Sequence, residues 1–118
     1  MNIIQQILNA TKRRGGYTVN PITGEIPTTG YIASTGEHEK RVPRVCYSDI
    51  SAYAAEHEHL FSAPDSRMFL GTWKQSGITY LDVSVRFTDR DAALRYAEMN
   101  KQQAIYDIGE GMDIEVVS

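Results

Sequence analysis

Along residues 80–87, apolar Leu81, Val83, Val85 and Phe87 alternate with Tyr80, Asp82, Ser84 and Arg86. A period of two predicts a half-buried strand, one face on a core and the other near water. Thr88 stands where a helix N-cap belongs. Asp89 and Asp91 follow in the first turn, with Ala92, Ala93, Leu94, Tyr96, Ala97 and Met99 behind them. Near the start of the chain, Ile3, Ile4, Ile7 and Leu8 fall on one helical stripe. Lys12, Arg13 and Arg14 suit the C-terminus of that helix, and Gly15-Gly16 stops it.

The segments between read as hairpins and one further helix. Tyr17-Thr18-Val19, the turn residues Asn20-Pro21-Ile22-Thr23-Gly24 and the return Glu25-Ile26 predict a first hairpin. Residues 30–34 form a further strand, and residues 35–44 read as a charged loop containing Pro43. Ser48 or Asp49 is expected to cap a helix over residues 49–59, with Ile50, Tyr53, Ala54 and His57 inward, ended by Ala63-Pro64-Asp65. Residues 68–73 and 78–87 flank Lys74-Gln75-Ser76-Gly77, a hairpin connection with Gly at the left-handed position. Residues 103–108 and 113–117, joined by Gly109-Glu110-Gly111, supply the last pair. The order α-ββ-α-ββ-α-ββ predicts a single α+β domain over residues 1–118. Its sheet is largely antiparallel, with about three helices on one face.

Composition adds little to this picture. A chain of 118 residues buries a real core without disulfide or metal support. The apolar and charged fractions are those of a soluble globular protein. No apolar run approaches the roughly 20 residues of a membrane span. Met1-Asn2-Ile3-Ile4-Gln5-Gln6-Ile7-Leu8 lacks the basic region and long apolar stretch of a signal peptide, and Cys46 has no disulfide partner. Both fit a cytoplasmic location. Residues 1–45 carry a net charge of +3 and the remainder −6. The balance is too mild for a duplex-DNA binder or for an acidic DNA mimic.

Candidate chemistry is sparse. In Glu56-His57-Glu58-His59 the two imidazoles are two residues apart, so on a helix they diverge by roughly 200° and cannot share an ion. Zinc helices use His at i and i+4, so no metal site and no cofactor is implied. There is no phosphate loop and no Gly-x-Ser-x-Gly elbow, and Cys46 has only His38 nearby in sequence. Asp82 and Asp107 sit among apolar neighbours on strands. A facing pair could do acid–base work, and the plainer account makes them outward carboxylates paired with Arg86, Arg90 or Lys101. Lys12-Arg13-Arg14 with Tyr17, and Lys40, Arg41 and Arg44 with Tyr31 and Tyr47, set cations beside aromatics, as single-strand nucleic-acid grooves do. Exposed Tyr and Trp equally suit protein contact, with Trp73 beside Lys74 at a hairpin tip.

Several stretches also carry a resemblance. Gly16-Tyr17-Thr18-Val19-Asn20-Pro21-Ile22-Thr23-Gly24-Glu25, Gly30-Tyr31, Gly71-Thr72-Trp73, Tyr80-Leu81-Asp82-Val83-Ser84 and the run NKQQAIYDI at residues 100–108 belong to it. Together they resemble small accessory proteins of bacteriophages and other mobile elements, those of actinobacterial hosts especially. The resemblance implies a small cytoplasmic protein that binds and blocks host machinery, anti-CRISPR and other anti-defence inhibitors among them. The expectation is therefore a non-enzymatic binding protein with a host protein, such as a defence nuclease, as partner. Its contact residues would be Tyr17, Tyr31, Arg41, Arg44, Trp73 and Lys74. A nucleic-acid binder or a nucleotide-directed enzyme is the alternative.

Overall fold

The computed structural model describes residues 2–63 and 66–117. Among them are four helices: α1 (Ile3–Arg14), α2 (Tyr47–Glu56), α3 (Glu58–Phe61) and α4 (Arg90–Met99). The strands are β1 (Gly16–Val19), β2 (Tyr31–Ser34), β3 (Lys40–Pro43), β4 (Met68–Gln75), β5 (Ile78–Phe87), β6 (Ala104–Asp107) and β7 (Met112–Glu115). They form one antiparallel sheet in the order β1-β4-β5-β2-β6-β7, with β3 also on β5. The α+β class and the approximate element order expected from the sequence are present.

Side chains near each helix end explain its limits. Asn2 Oδ1 accepts from the Gln5 N–H at 2.8 Å, and Gly15 takes φ 88° to donate to the Thr11 carbonyl at 3.0 Å. The α4 cap is Asp89 rather than Thr88, because the Asp89 carboxylate accepts from the Ala92 N–H at 2.9 Å. Cys46, not Ser48 or Asp49, holds the cap position of α2. Its N–H donates to the Asp49 carboxylate at 2.9 Å, which holds that carboxyl below its usual range. The helix expected over residues 49–59 breaks at His57 and resumes as the single turn α3. There the His57 ring lies buried with Nδ1 3.0 Å from the Tyr53 carbonyl, the acceptor its own main-chain N–H also uses. A side chain competing for the i−4 carbonyl disturbs the ladder. Of the expected stop at Ala63-Pro64-Asp65, Pro64 and Asp65 lie outside the described residues.

Two strand expectations change. Glu25-Ile26 does not return along β1. The turn itself forms: the Asn20 side chain accepts from the Ile22 and Thr23 N–H groups and donates to the Phe61 carbonyl. The chain then leaves through Pro27, and β1 pairs with β4, placing buried Val19 beside Leu70. The expected charged loop also hides β3. Val42 is its one buried residue, and β3 pairs with β5 from Leu81 to Ile78.

Strand β5 organises the rest. Leu81 and Val83 are fully buried with Ile7 and Leu8 of α1 and with Ile50 and Tyr53 of α2. Across the hairpin they meet Thr72 and Leu70 of β4, so those residues share the helix-covered face. Thr72 and Thr11 hydroxyls meet at 2.5 Å, and Thr11 also donates to the Ile7 carbonyl at 2.7 Å, tying β4 to α1. A second cluster, Ala33, Ala93, Ala97 and Ile105, packs α4 on β2 and β6. Ala33 faces Val85, so both clusters lie on the same side of the sheet. Leu81→Ala should cost about 2–4 kcal/mol, and Phe87→Ala less because Phe87 is only partly buried. Urea unfolding checks this, and an unchanged Leu81→Ala midpoint would mean the strand faces are reversed.

Candidate functional site: an aromatic surface beside a partly buried carboxylate

The opposite face of the sheet carries no helix among the described residues. Alternation places Gly71, Trp73 and Phe69 of β4 there, with Tyr80, Asp82, Ser84 and Arg86 of β5, Ser34 of β2 and Arg41 of β3. One end of this face is closed. The connection from β1 to β2 passes the Met68–Val85 end of the hairpin. Arg86 holds it by donating to the Thr29 carbonyl at 2.5 Å and hydroxyl at 2.7 Å. Phe69 and Ile32 are buried near that end.

The other end is open. Trp73 is 39% exposed and stacks on Tyr80, ring centroids 4.0 Å apart and planes within 8°. The Arg41 guanidinium sits 5.4 Å from the Tyr80 centroid, and its Nε donates to Glu39 at 3.3 Å. The stack follows from a two-residue turn. Ser76 and Gly77 take φ 54° and 80°, a primed-turn geometry that sets Gln75 opposite Ile78 and therefore Trp73 opposite Tyr80.

Asp82 lies between the two ends. It faces Gly71, and a Cβ on Gly71 would collide with the Asp82 carboxylate and lie 3.8 Å from Ser84 Oγ. Only glycine admits this close approach. Burial pushes the Asp82 carboxyl up to about 6; a hydrogen bond from Ser34 opposes the rise and the charge of Glu39 adds to it. Among the described residues no ion pair reaches Asp82. Beside it, Ser84 Oγ is buried without a hydrogen-bond partner. The sheet is also interrupted here. Ser34 pairs with Ser84, the Thr35 N–H donates to the Val83 carbonyl at 2.9 Å, and Lys40 pairs with Leu81, so residues 36–39 loop out opposite Asp82. Such bulges re-aim side chains and recur beside functional sites.

The residues singled out in the sequence separate into groups. Arg41 and Trp73 come together through Tyr80, which the sequence reading did not include. Tyr17 and Tyr31 lie on the helix-covered face, packed against the first and second clusters. Arg44 is exposed just beyond β3 with φ 56°, and Lys74 is exposed on the alternate side of β4 from Trp73. Lys12, Arg13 and Arg14 precede β1, separated from β3 by β4 and β5. Asp82 and Asp107 do not converge. Asp107 sits opposite Tyr31 on the other face, where its carboxylate accepts from the Glu110 N–H at 3.1 Å. Neither carboxylate pairs with Arg86, Arg90 or Lys101 among the described residues. His57 faces inward against Tyr53 and His38, and no described group of three His, Cys, Asp or Glu side chains could hold a metal ion. Two grooves beside α4, of about 430 and 820 Å³, contain no Ser, Thr, Cys, Tyr or His in their linings. No described helix is long and apolar enough to cross a membrane.

Asp82 has a folded-state pKa above the unfolded value of 3.8, so the folded chain holds this proton more tightly. The stability linked to it is full at low pH and is lost as pH rises from about 4 to about 6. Asp82→Asn should therefore raise stability at pH 7, on the order of 1–2 kcal/mol after allowing for partial exposure. The gain should vanish near pH 3. Unfolding midpoints at the two pH values test this, and equal gains at both would remove the buried charge as the cause.

Comparison with protein-family models, with curated proteins and with solved structures found no match to this chain.

Proposed function

We propose that this chain is a non-enzymatic binding protein that docks on another protein through Trp73, Tyr80 and Arg41. In this reading it is an accessory protein of the phage or mobile-element kind, acting in the host cytoplasm to occupy a surface of a host protein such as a defence nuclease. One observation carries the binding function. An exposed Trp and a half-buried Tyr are locked face to face, with the Arg41 guanidinium over the Tyr80 ring, on the side of the sheet that no described helix covers. Trp, Tyr and Arg are the residue types that dominate binding energy at protein interfaces. Rings already held in one arrangement lose little conformational entropy on contact, so more of the buried area becomes affinity. Stacked rings with an arginine also suit single-stranded nucleic acid. The carboxylates of Glu39 and Asp82 lie beside this patch, however, and oppose a phosphate backbone there.

The test is capture of a stoichiometric partner by the tagged chain from nuclease-treated host lysate, followed by titration of the purified pair. Trp73→Ala should weaken the complex at least about tenfold, as expected for a central aromatic anchor, while the chain stays folded and its melting falls only by the few degrees that loss of the Tyr80 stack costs. Undiminished binding by Trp73→Ala would overturn the assignment of the surface. Capture abolished by nuclease would transfer the function to nucleic acid.

A further inference from the structure

The Asp82 region is incomplete as it stands. Its carboxyl has the Ser34 hydroxyl as a partner, and no cation among the described residues reaches it. Each cation on its face is engaged elsewhere: Arg86 of β5 with Thr29, and Arg41 of β3 with Glu39 and the Tyr80 ring. Glu39, ahead of β3, adds negative charge, and Tyr53 of α2 lies close enough beyond the sheet to feel the charge of Asp82. Ser84 Oγ is a second acceptor without a donor. The residue is only 3% exposed, and its hydroxyl lies 3.8 Å from the point above Gly71 that the Asp82 carboxylate also crowds. A largely desolvated charge without a counter-charge is unfavourable. A compact cation bearing several N–H donors would supply what Asp82 lacks.

We propose that the ground between Asp82 and the Tyr80–Trp73 stack receives the ammonium of a lysine side chain from the partner protein. The inference rests on the reading that this face is the contact surface, and it supplies the chemistry of what the surface recognises. The donors of one ammonium match the Asp82 carboxylate and the Ser34 hydroxyl. The methylene stem then lies along the exposed Trp73 ring and the edge of Tyr80, where apolar contact favours it. An arginine fork prefers two coplanar oxygens of one carboxylate. Here one side of that carboxylate is taken by Ser34 and by the approach to Gly71. Hard divalent cations take about six to eight oxygen ligands, and a single carboxylate with two hydroxyls falls short of that.

The test is an NMR titration of the Asp82 carboxyl carbon in the intact chain at constant ionic strength. Three probes are compared: N-acetyl-lysine methylamide, its uncharged norleucine analogue and its arginine analogue. The lysine probe should lower the Asp82 midpoint by at least about half a pH unit, a threefold change in proton affinity. It should also shift the amide signals of Gly71, Tyr80 and Ser84. The norleucine probe should leave all of these in place, and the arginine probe should act more weakly. In Asp82→Asn the lysine-induced shifts at Gly71 and Tyr80 should disappear. A midpoint that ignores the lysine probe, or that responds equally to norleucine or arginine, overturns the lysine site. If the midpoint stays fixed while Trp73→Ala still releases a captured partner, the binding function survives and the lysine anchor falls. If the midpoint moves while Trp73→Ala binds normally, the site stands and the docking surface is misplaced.

Discussion

The structure depends on β5 being shared. Along one side, residues 78–85 of its ten-residue span Ile78–Phe87 pair with β4. Along the other they are divided between β2 at the Phe87 end and β3 at the Ile78 end. β2 and β3 therefore act as one strand broken by a loop, with residues 36–39 displaced opposite Asp82. That loop is anchored on both sides of the break. Tyr53 donates to the His38 carbonyl at 2.7 Å, and a Cβ on Gly36 would lie 3.0 Å from the Asn100 carbonyl. The interruption thus falls where the α1–α2 packing gives way to the α4 packing, and each cluster closes over its own half of the same strand.

A consequence of this arrangement is the inequality of the two faces. With the described helices on one side, the opposite side is covered only where the β1–β2 connection passes and Arg86 pins it. Moving along β5 on that side, the environment changes from enclosed at Ser84, through Asp82, to accessible at Tyr80. The carboxylate therefore stands at the boundary, with too little water to ionise easily and close enough to the open end to meet an incoming group. The sheet break adds to this, because the loop carries Glu39 towards Asp82 instead of a cation.

What the sequence made legible follows the range of the interaction. The alternation in β5 was readable because one face is buried along its length, and α1 was readable because a polar cap and a left-handed glycine close it. β3 was not. Lys40, Arg41 and Pro43 surround a single buried Val42, and charge with proline reads as a loop although both are common on short or partly paired strands. The partner of β1 was also hidden, since a strong local turn after Val19 suggested a hairpin while β4, some fifty residues on, supplied the actual edge. The juxtaposition of Trp73 with Tyr80 was hidden by register. A four-residue connection at Lys74-Gln75-Ser76-Gly77 would have set Trp73 opposite Ile78. The two-residue turn at Ser76-Gly77 sets it opposite Tyr80 and creates the stack.

Asp82 is where local and global preferences disagree. A strand position flanked by Leu81 and Val83, opposite glycine and beside a buried serine, would be most stable with a neutral side chain. The fold instead gives up a side chain at Gly71 to make room for the carboxylate and leaves Ser84 without a donor. Packing alone does not explain three concessions at one point, because an asparagine would fill the same space, donate to Ser84 and remove the buried charge. Features that lower stability without a compensating contact inside the chain are expected where the compensation comes from outside. The orientation of this one agrees: its acceptors converge over Gly71, next to the rings that stand ready for contact. In the proposed docking, the carboxylate and the aromatic stack are two parts of one surface, the first fixing which group is accepted and the second supplying the area that holds it.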